Sequence, residues 1–133
     1  METVIVSVDA EVNPTESEAK VRKAIESIFG TIPITVKQTR RGSILTAETR
    51  EREPLIKFYN MLSREHIRAA ARTVLLASID RKTISFCLNK QAAYVGHVSF
   101  AEEVAESPLG PIRVRIESEN PHELVNWLTS TSA

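Results

Sequence analysis

The chain predicts an α+β fold, a two-layer arrangement in which a mostly antiparallel or mixed sheet carries helices over one face. Three observations lead there. Apolar and polar residues alternate with a period of two in several short segments, Val4 to Val12 and Ile112 to Glu117 being the clearest, so those strands have one buried and one wet side. Strand-like segments also come in neighbouring groups separated by turn residues, whereas a doubly wound parallel sheet alternates strands with helices. Apolar residues at three- and four-residue spacing mark amphipathic helices between the groups. At 133 residues the chain has the length of one domain, residues 1–133, able to bury a core without disulfide or metal staples.

In the first strand Val4, Val6, Val8, Ala10 and Val12 alternate with Ile5, Ser7, Asp9 and Glu11. Asn13-Pro14-Thr15-Glu16 follows with helix-start chemistry. Asn13 suits the N-cap, Pro14 has no amide to leave unbonded, and Glu16 can reach back to the chain. Val21, Ala24, Ile25 and Ile28 supply the apolar stripe and Gly30 a left-handed stop, which predicts a helix over about 14–29. Ile32, Ile34 and Val36 predict a second strand, Arg40-Arg41-Gly42-Ser43 a hairpin turn, and Ile44 to Thr49 a third strand. Glu53-Pro54 opens a helical stretch with Leu55, Phe58, Tyr59 and Leu62 on one face; Ser63 can cap a second stretch with Ile67, Ala70, Ala71, Val74 and Leu75. One bent helix or two consecutive ones fit this pattern.

Ile84, Phe86 and Leu88 predict the next strand, Asn89 to Ala93 a connection, and Tyr94 to Phe100 another strand. The acidic Ala101 to Ser107 segment reads as a loop or short helix. Leu109-Gly110-Pro111 breaks the chain before a final strand in which Ile112, Val114 and Ile116 alternate with Arg113, Arg115 and Glu117. Asn120-Pro121-His122-Glu123 repeats the helix-start chemistry of Asn13 to Glu16 and places Leu124, Val125, Trp127 and Leu128 on a closing helix. Thr129 to Ala133 reads as a frayed tail.

Net charge is zero, yet its distribution is uneven. Residues 37–90 hold 12 basic and 5 acidic side chains, a local +7, between segments of −3 and −4. Either this basic middle third forms one positive face, the footprint of a nucleic-acid surface, or the segments interleave in space and their charges cancel. Arg64, Arg68 and Arg72 recur every four residues, so on one helix their guanidinium forks would line an edge able to grip successive phosphates; the alternative is an ordinary solvated helix face. Arg40 and Arg41 extend such a surface. Asn89, Lys90 and Gln91 read equally well as a ligand-contacting set, with Lys90 foremost, and as a structural turn. Tyr59 and Tyr94 are the best candidates for stacking on bases, too few for a single-strand platform.

Catalytic chemistry finds little support. Cys87 is the only cysteine and sits in an apolar strand pattern, where thiols pack as small hydrophobes; its solitude also excludes an intramolecular disulfide and points to a reducing compartment. His66, His97 and His122 are placed on a helix, in a strand and at a helix start, too dispersed for a metal centre. Glu102, Glu103 and Glu106 read as a solvated edge with no acid–base pairing, and no glycine pattern cradles a phosphate. No catalytic residue, metal or cofactor is expected. The first residues enter a strand directly, without a basic leader pattern, and no apolar run approaches the roughly 18 residues of a membrane span, so a cytoplasmic protein without membrane contact is expected.

The run Leu88-Asn89-Lys90-Gln91-Ala92-Ala93, then Tyr94, then Val95-Gly96 and a strand ending at Phe100, resembles a small family of archaeal proteins. So do the strand leading into Asn13-Pro14-Thr15-Glu16, the helix ending near Ile67 to Leu75, the Leu109-Gly110-Pro111-Ile112 turn and Trp127-Leu128. The resemblance implies an RNA-binding, exosome-associated protein with a fold similar to the large-subunit ribosomal protein that contacts 5S ribosomal RNA. Structured RNA is then the expected partner, through phosphate contacts from Arg40, Arg41, Arg64, Arg68, Arg72 and Lys90. The rival expectation is a protein-interaction module, such as a homodimer joined through a sheet edge or the Val4 to Val12 strand.

Overall fold

The first predicted strand, β1 (Ile5–Val12), lies inside the sheet rather than at its rim. It pairs on one side with β3 (Gly42–Thr49) and on the other with β7 (Ile112–Glu117). The structure, a computed structural model, describes residues 3–101 and 110–130. Beyond these strands, β2 (Thr35–Thr39) pairs with β3, and β5 (Thr83–Leu88) pairs with β7. The outer side of β5 is shared by two short strands, β4 (Ile79–Asp80) at its start and β6 (Phe100–Ala101) at its end. The order is β2-β3-β1-β7-β5-β4 with β6 beside β5, and every described pairing is antiparallel. Because both edges of β1 are taken, the Val4 to Val12 strand cannot serve as a dimer edge.

Val6, Val8 and Ala10 of β1, Leu45 of β3, Ile112, Val114 and Ile116 of β7, and Ile84, Phe86 and Leu88 of β5 are buried on one side of the sheet. Helices α1 (Glu18–Phe29), α2 (Glu53–Arg64), α3 (Arg68–Ala77) and α5 (Pro121–Leu128) close over that side through Val21, Ile25 and Ile28, Phe58 and Leu62, Ala71 and Leu75, and Val125 and Leu128. An aromatic run, Phe29–Phe58–Phe86–Phe100, with centroids 5.6, 5.6 and 5.8 Å apart, links α1, α2, β5 and β6. The α+β expectation, helices on one face of an antiparallel sheet, is what the chain forms.

Local departures have local causes. Asn13 does not cap a helix: its backbone N–H and side-chain amide both donate to Glu16 Oε1 at 3.0 Å, closing a turn, and α1 starts later, at Glu18, with Ser17 Oγ accepting from Lys20 N–H. The second helical stretch breaks at Glu65–Ile67, where His66 takes a φ of 57°; Ser63 stays inside α2, and α3 begins after Ile67 without a side-chain cap. The Tyr94 to Phe100 strand shrinks to Phe100–Ala101, because Asn89 Oδ1 accepts from Ala92 N–H and nucleates a short helix, α4 (Lys90–Tyr94). Strand β4 escaped the sequence reading, being only two residues long. In the tail Thr129 is buried, while 131–133 and the acidic residues 102–109 lie outside the described residues.

At the predicted hairpin turn, Arg40 and Arg41 join β2 to β3, and Gly42 has a φ of 136° with its backbone against the end of β1. A Cβ there would overlap the Val12 carbonyl oxygen. Gly42→Ala is therefore expected to lower stability by roughly 2–4 kcal/mol, from overpacking and backbone strain together. An unchanged urea midpoint would show that the tip is not pinned.

Candidate nucleic-acid interface

The arginine row does not survive as a row. Arg64 ends α2, whereas Arg68 and Arg72 lie on α3 beyond the turn. Arg68 Nη1 donates to Ser63 Oγ at 3.0 Å and to the Ser130 carbonyl at 3.3 Å; Arg72 Nη1 donates to Asn126 Oδ1 at 2.6 Å and Thr129 Oγ1 at 3.5 Å. Both guanidiniums thus fasten α3 to the C-terminal end of α5, where cations also complement the helix dipole. Arg64 is exposed and its side chain makes no hydrogen bond or ion pair among the described residues.

Lys90 is not a surface cation. Its side chain is 7% exposed and that of its partner Glu16 10%. The ammonium donates to Glu16 Oε1 at 3.1 Å, to Oε2 at 3.4 Å, and to the Glu11 carbonyl at 2.5 Å. Since Glu16 also holds Asn13, this knot ties the end of β1, the turn before α1 and the start of α4 together. Of the two readings of Asn89-Lys90-Gln91, the geometry favours the structural turn.

What the knot builds is more informative than the knot. Registers place Val12 of β1 opposite Ser43 of β3, and Ile112 of β7 opposite both Ala10 of β1 and Leu88 of β5, so all four strands have one end in common. That end carries the Arg40–Arg41 turn, the Asn13 to Ser17 turn, and the side-by-side helices α1 and α4. Arg40 and Arg41 are exposed and make no hydrogen bond or ion pair among the described residues. Between α1 and α4 runs a groove of about 520 Å³, lined by Ser17, Lys20, Val21, Ala24, Asn89, Gln91, Tyr94 and Val95 among others. Over the Tyr94 ring stand two ammonium groups, Lys23 Nζ at 4.9 Å and Lys20 Nζ at 5.9 Å from its centre. The sequence reading named Tyr94 but missed both lysines; only the packing of α1 on α4 reveals them.

Elsewhere the basic residues disperse. Arg50 and Arg52 follow β3, and Arg81 and Lys82 form the β4–β5 turn, all at the opposite end of the sheet, with Lys82 paired to Glu119 at 2.7 Å. The +7 segment therefore divides between two ends and the helical layer, the interleaved alternative. Nor is the sheet face opposite the helices a polyanion surface. Arg113 bonds Asp9 at 3.1 Å and approaches Glu11 at 3.7 Å, and Arg115 lies 3.8 Å from Glu117. Burial works against the Arg113 charge, but the hydrogen bond and charge of Asp9 and the charge of Glu11 outweigh it and raise the guanidinium pKa above its ordinary value. These arginines are committed to carboxylates.

Two histidines sit elsewhere than expected, His66 in the α2–α3 turn and His97 in the loop before β6, its Nδ1 3.4 Å from Glu65 Oε2, while His122 lies at the start of α5 as expected. Cys87 is buried in β5. Among the described residues no group of three or more His, Cys, Asp or Glu side chains can hold a metal ion, and no helix is long and apolar enough to cross a membrane.

Comparison with known proteins places this geometry in a family. A family model described as RNA binding matches residues 5–118, from β1 past the end of β7. A UPF0201 protein of Sulfurisphaera tokodaii is 41% identical over 126 residues, covering 95% of this chain and 87% of its own length. The chain belongs to the UPF0201 family. A second UPF0201 protein, from Saccharolobus solfataricus, is 41% identical over 130 residues, covering 98% of this chain and 90% of the relative. The crystal structure of the UPF0201 protein from Methanococcus jannaschii superposes with a TM-score of 0.85 at 32% identity, covering 95% of this chain and 99% of that one. The UPF0201 relatives are archaeal, as the resemblance implied.

Proposed function

We propose that this UPF0201 protein is a non-enzymatic RNA-binding accessory protein that holds structured RNA by its phosphates, and that its contact surface is the end of the sheet bearing Arg40 and Arg41. The observation that carries the reading is the match of a family model described as RNA binding across residues 5–118. Geometry supports the location: Arg40 and Arg41 project from a pinned hairpin tip with their donors unengaged among the described residues, and Arg64 offers a third such guanidinium on the helical layer. Arg68, Arg72 and Lys90 leave the contact set, since each already holds parts of the fold together. Association with the exosome, a fold likeness to the 5S-rRNA-binding ribosomal protein and a cytoplasmic location extend the same reading.

Filter binding of a structured RNA at several salt concentrations tests it. Three phosphate contacts predict a log–log slope of roughly −2 to −3 against salt, and removing Arg40 and Arg41 together flattens it by roughly 1.5–2. A flat response, or no binding at low salt, would sink the idea. A homodimer joined through β2, whose outer edge has no strand partner among the described residues, is the second reading. Lys37 stands on that strand and would oppose a second copy's Lys37 in a symmetric pairing, which weakens it. Light scattering that shows a monomer across concentration would remove it.

A further inference from the structure

We infer that the groove between α1 and α4 is a nucleotide-binding subsite for a single-stranded stretch of RNA, with one phosphate held at its Tyr94 side by Lys20, which lines the groove, and Lys23, which stands over the same ring beyond the lining, and with its base or ribose against Val21, Ala24 and Val95. This rests on the RNA-binding reading and gives it a second, independent contact point.

The argument begins with the two lysines. They lie three residues apart on one helix, so their ammonium groups repel, yet the Tyr94 ring face gathers both within 5.9 Å of its centre. Neither has a carboxylate partner among the described residues. Two convergent ammonium groups without a counter-charge suit one dianionic or shared anionic group, and phosphate is the commonest such group on RNA. Among the described residues the one carboxylate lining the groove, Glu16, is neutralised by Lys90, so it does not oppose an incoming anion.

The groove floor is apolar where the lysines are not. Val21 and Ala24 are buried under it, and Val95, 63% exposed, stands at its rim as an apolar side chain with no covering partner among the described residues. A volume of about 520 Å³ falls in the range of small-ligand pockets. Asn89 uses its side-chain oxygen to cap α4, which leaves its amide N–H groups as donors for a ribose hydroxyl or base edge. A phosphate, an apolar wall and amide donors in sequence match one nucleotide unit. The adjoining Arg40–Arg41 tip, at the same end of the sheet, supplies the continuing positive track a strand needs. Tyr94 acts here as a positioning residue, through the lysines it gathers.

Fluorescence anisotropy with a labelled oligouridine, run against salt, tests the subsite. Lys20→Ala/Lys23→Ala is expected to weaken binding at least about tenfold at low salt, as for two lost charge-assisted hydrogen bonds, and to reduce the salt slope by roughly 1.4. Tyr94→Phe keeps the ring face and is expected to bind as the parent chain does, whereas Tyr94→Ala loses part of the affinity; circular dichroism checks that each variant is folded, and the surface lysine pair carries the test if Tyr94→Ala is not. Parent protein that binds the oligonucleotide while the lysine pair variant matches it in affinity and slope overturns the subsite and leaves the RNA reading standing. Parent protein that does not bind the oligonucleotide overturns the subsite, and parent protein that binds neither it nor the structured RNA overturns both. Uridine monophosphate that binds as tightly as the oligonucleotide would assign the groove to a free nucleotide and overturn the strand.

Discussion

Lys90→Ala is expected to lose about 3–5 kcal/mol of stability, the largest effect of any charged residue in the chain. The magnitude follows from what is left behind. With the ammonium gone, the Glu16 carboxylate, 10% exposed, and the Glu11 carbonyl lose a donor in a place water barely reaches. A control separates the pair from its parts: Glu16→Gln in the Lys90→Met background removes the stranded charge while keeping an acceptor for Asn13, and should recover part of the loss. Urea unfolding of the four proteins measures this directly. A loss under about 1 kcal/mol for Lys90→Ala would mean that the ammonium is effectively solvated and the knot decorative. Because the knot fixes α1 beside α4, the same variant should also weaken RNA binding at the groove.

Phe58→Ala is expected to cost about 3–5 kcal/mol. Its ring is fully buried between Phe29 of α1 and Phe86 of β5, each centroid 5.6 Å away, so it joins the helical layer to the sheet. Phe58→Leu retains most of the volume but none of the ring contacts, each worth about 0.5–1.5 kcal/mol beyond burial, and should lose roughly 1–2 kcal/mol. Thermal unfolding of both variants gives the comparison. A Phe58→Leu loss near zero would indicate a cavity cost alone, with no aromatic contribution. Neither Phe58 variant should change the RNA salt slope once folded, since the ring lies away from the sheet end that carries Arg40 and Arg41.

Much of the fold was legible in the sequence because its strands are amphipathic. Val6, Val8 and Ala10 face a helical layer while Ser7, Asp9 and Glu11 face outward, and a period of two records that difference directly. Hairpin and stop signals at Arg40–Gly42 and Gly30 were local chemistry and held. What misled were residues whose partners are distant in sequence. Asn13 and Glu16 carry a helix start in their residue types, yet Lys90, 74 positions later, draws Glu16 into a buried pair and the turn closes before the helix. Tyr94 to Phe100 looks like a strand by composition, but Asn89 caps a short helix first, and local capping outweighs weak β-propensity.

The candidate site was less legible for the same reason. A spacing of four placed Arg64, Arg68 and Arg72 together only on an unbroken helix, and nothing in the spacing announced the turn at His66 or the acceptors on α5 that take up Arg68 and Arg72. Arg40 and Arg41 were found because a two-residue hairpin turn exposes whatever it contains. Lys20 and Lys23 read as ordinary surface lysines until α4 brings the Tyr94 ring beneath them, about seventy residues on in the chain.

The central claim is that RNA is held at the sheet end shared by the hairpin tip and the α1–α4 groove. Two-dimensional amide NMR of the protein titrated with RNA tests it most directly, because each residue reports for itself. The account predicts shifts concentrated at residues 15–24, 39–42 and 89–96 and at Arg64, growing as salt is lowered, with little change on the sheet face opposite the helices around Asp9, Arg113 and Arg115. Shifts confined to that face or to the Arg50, Arg52 and Arg81 end, or no shifts at low salt, would contradict it.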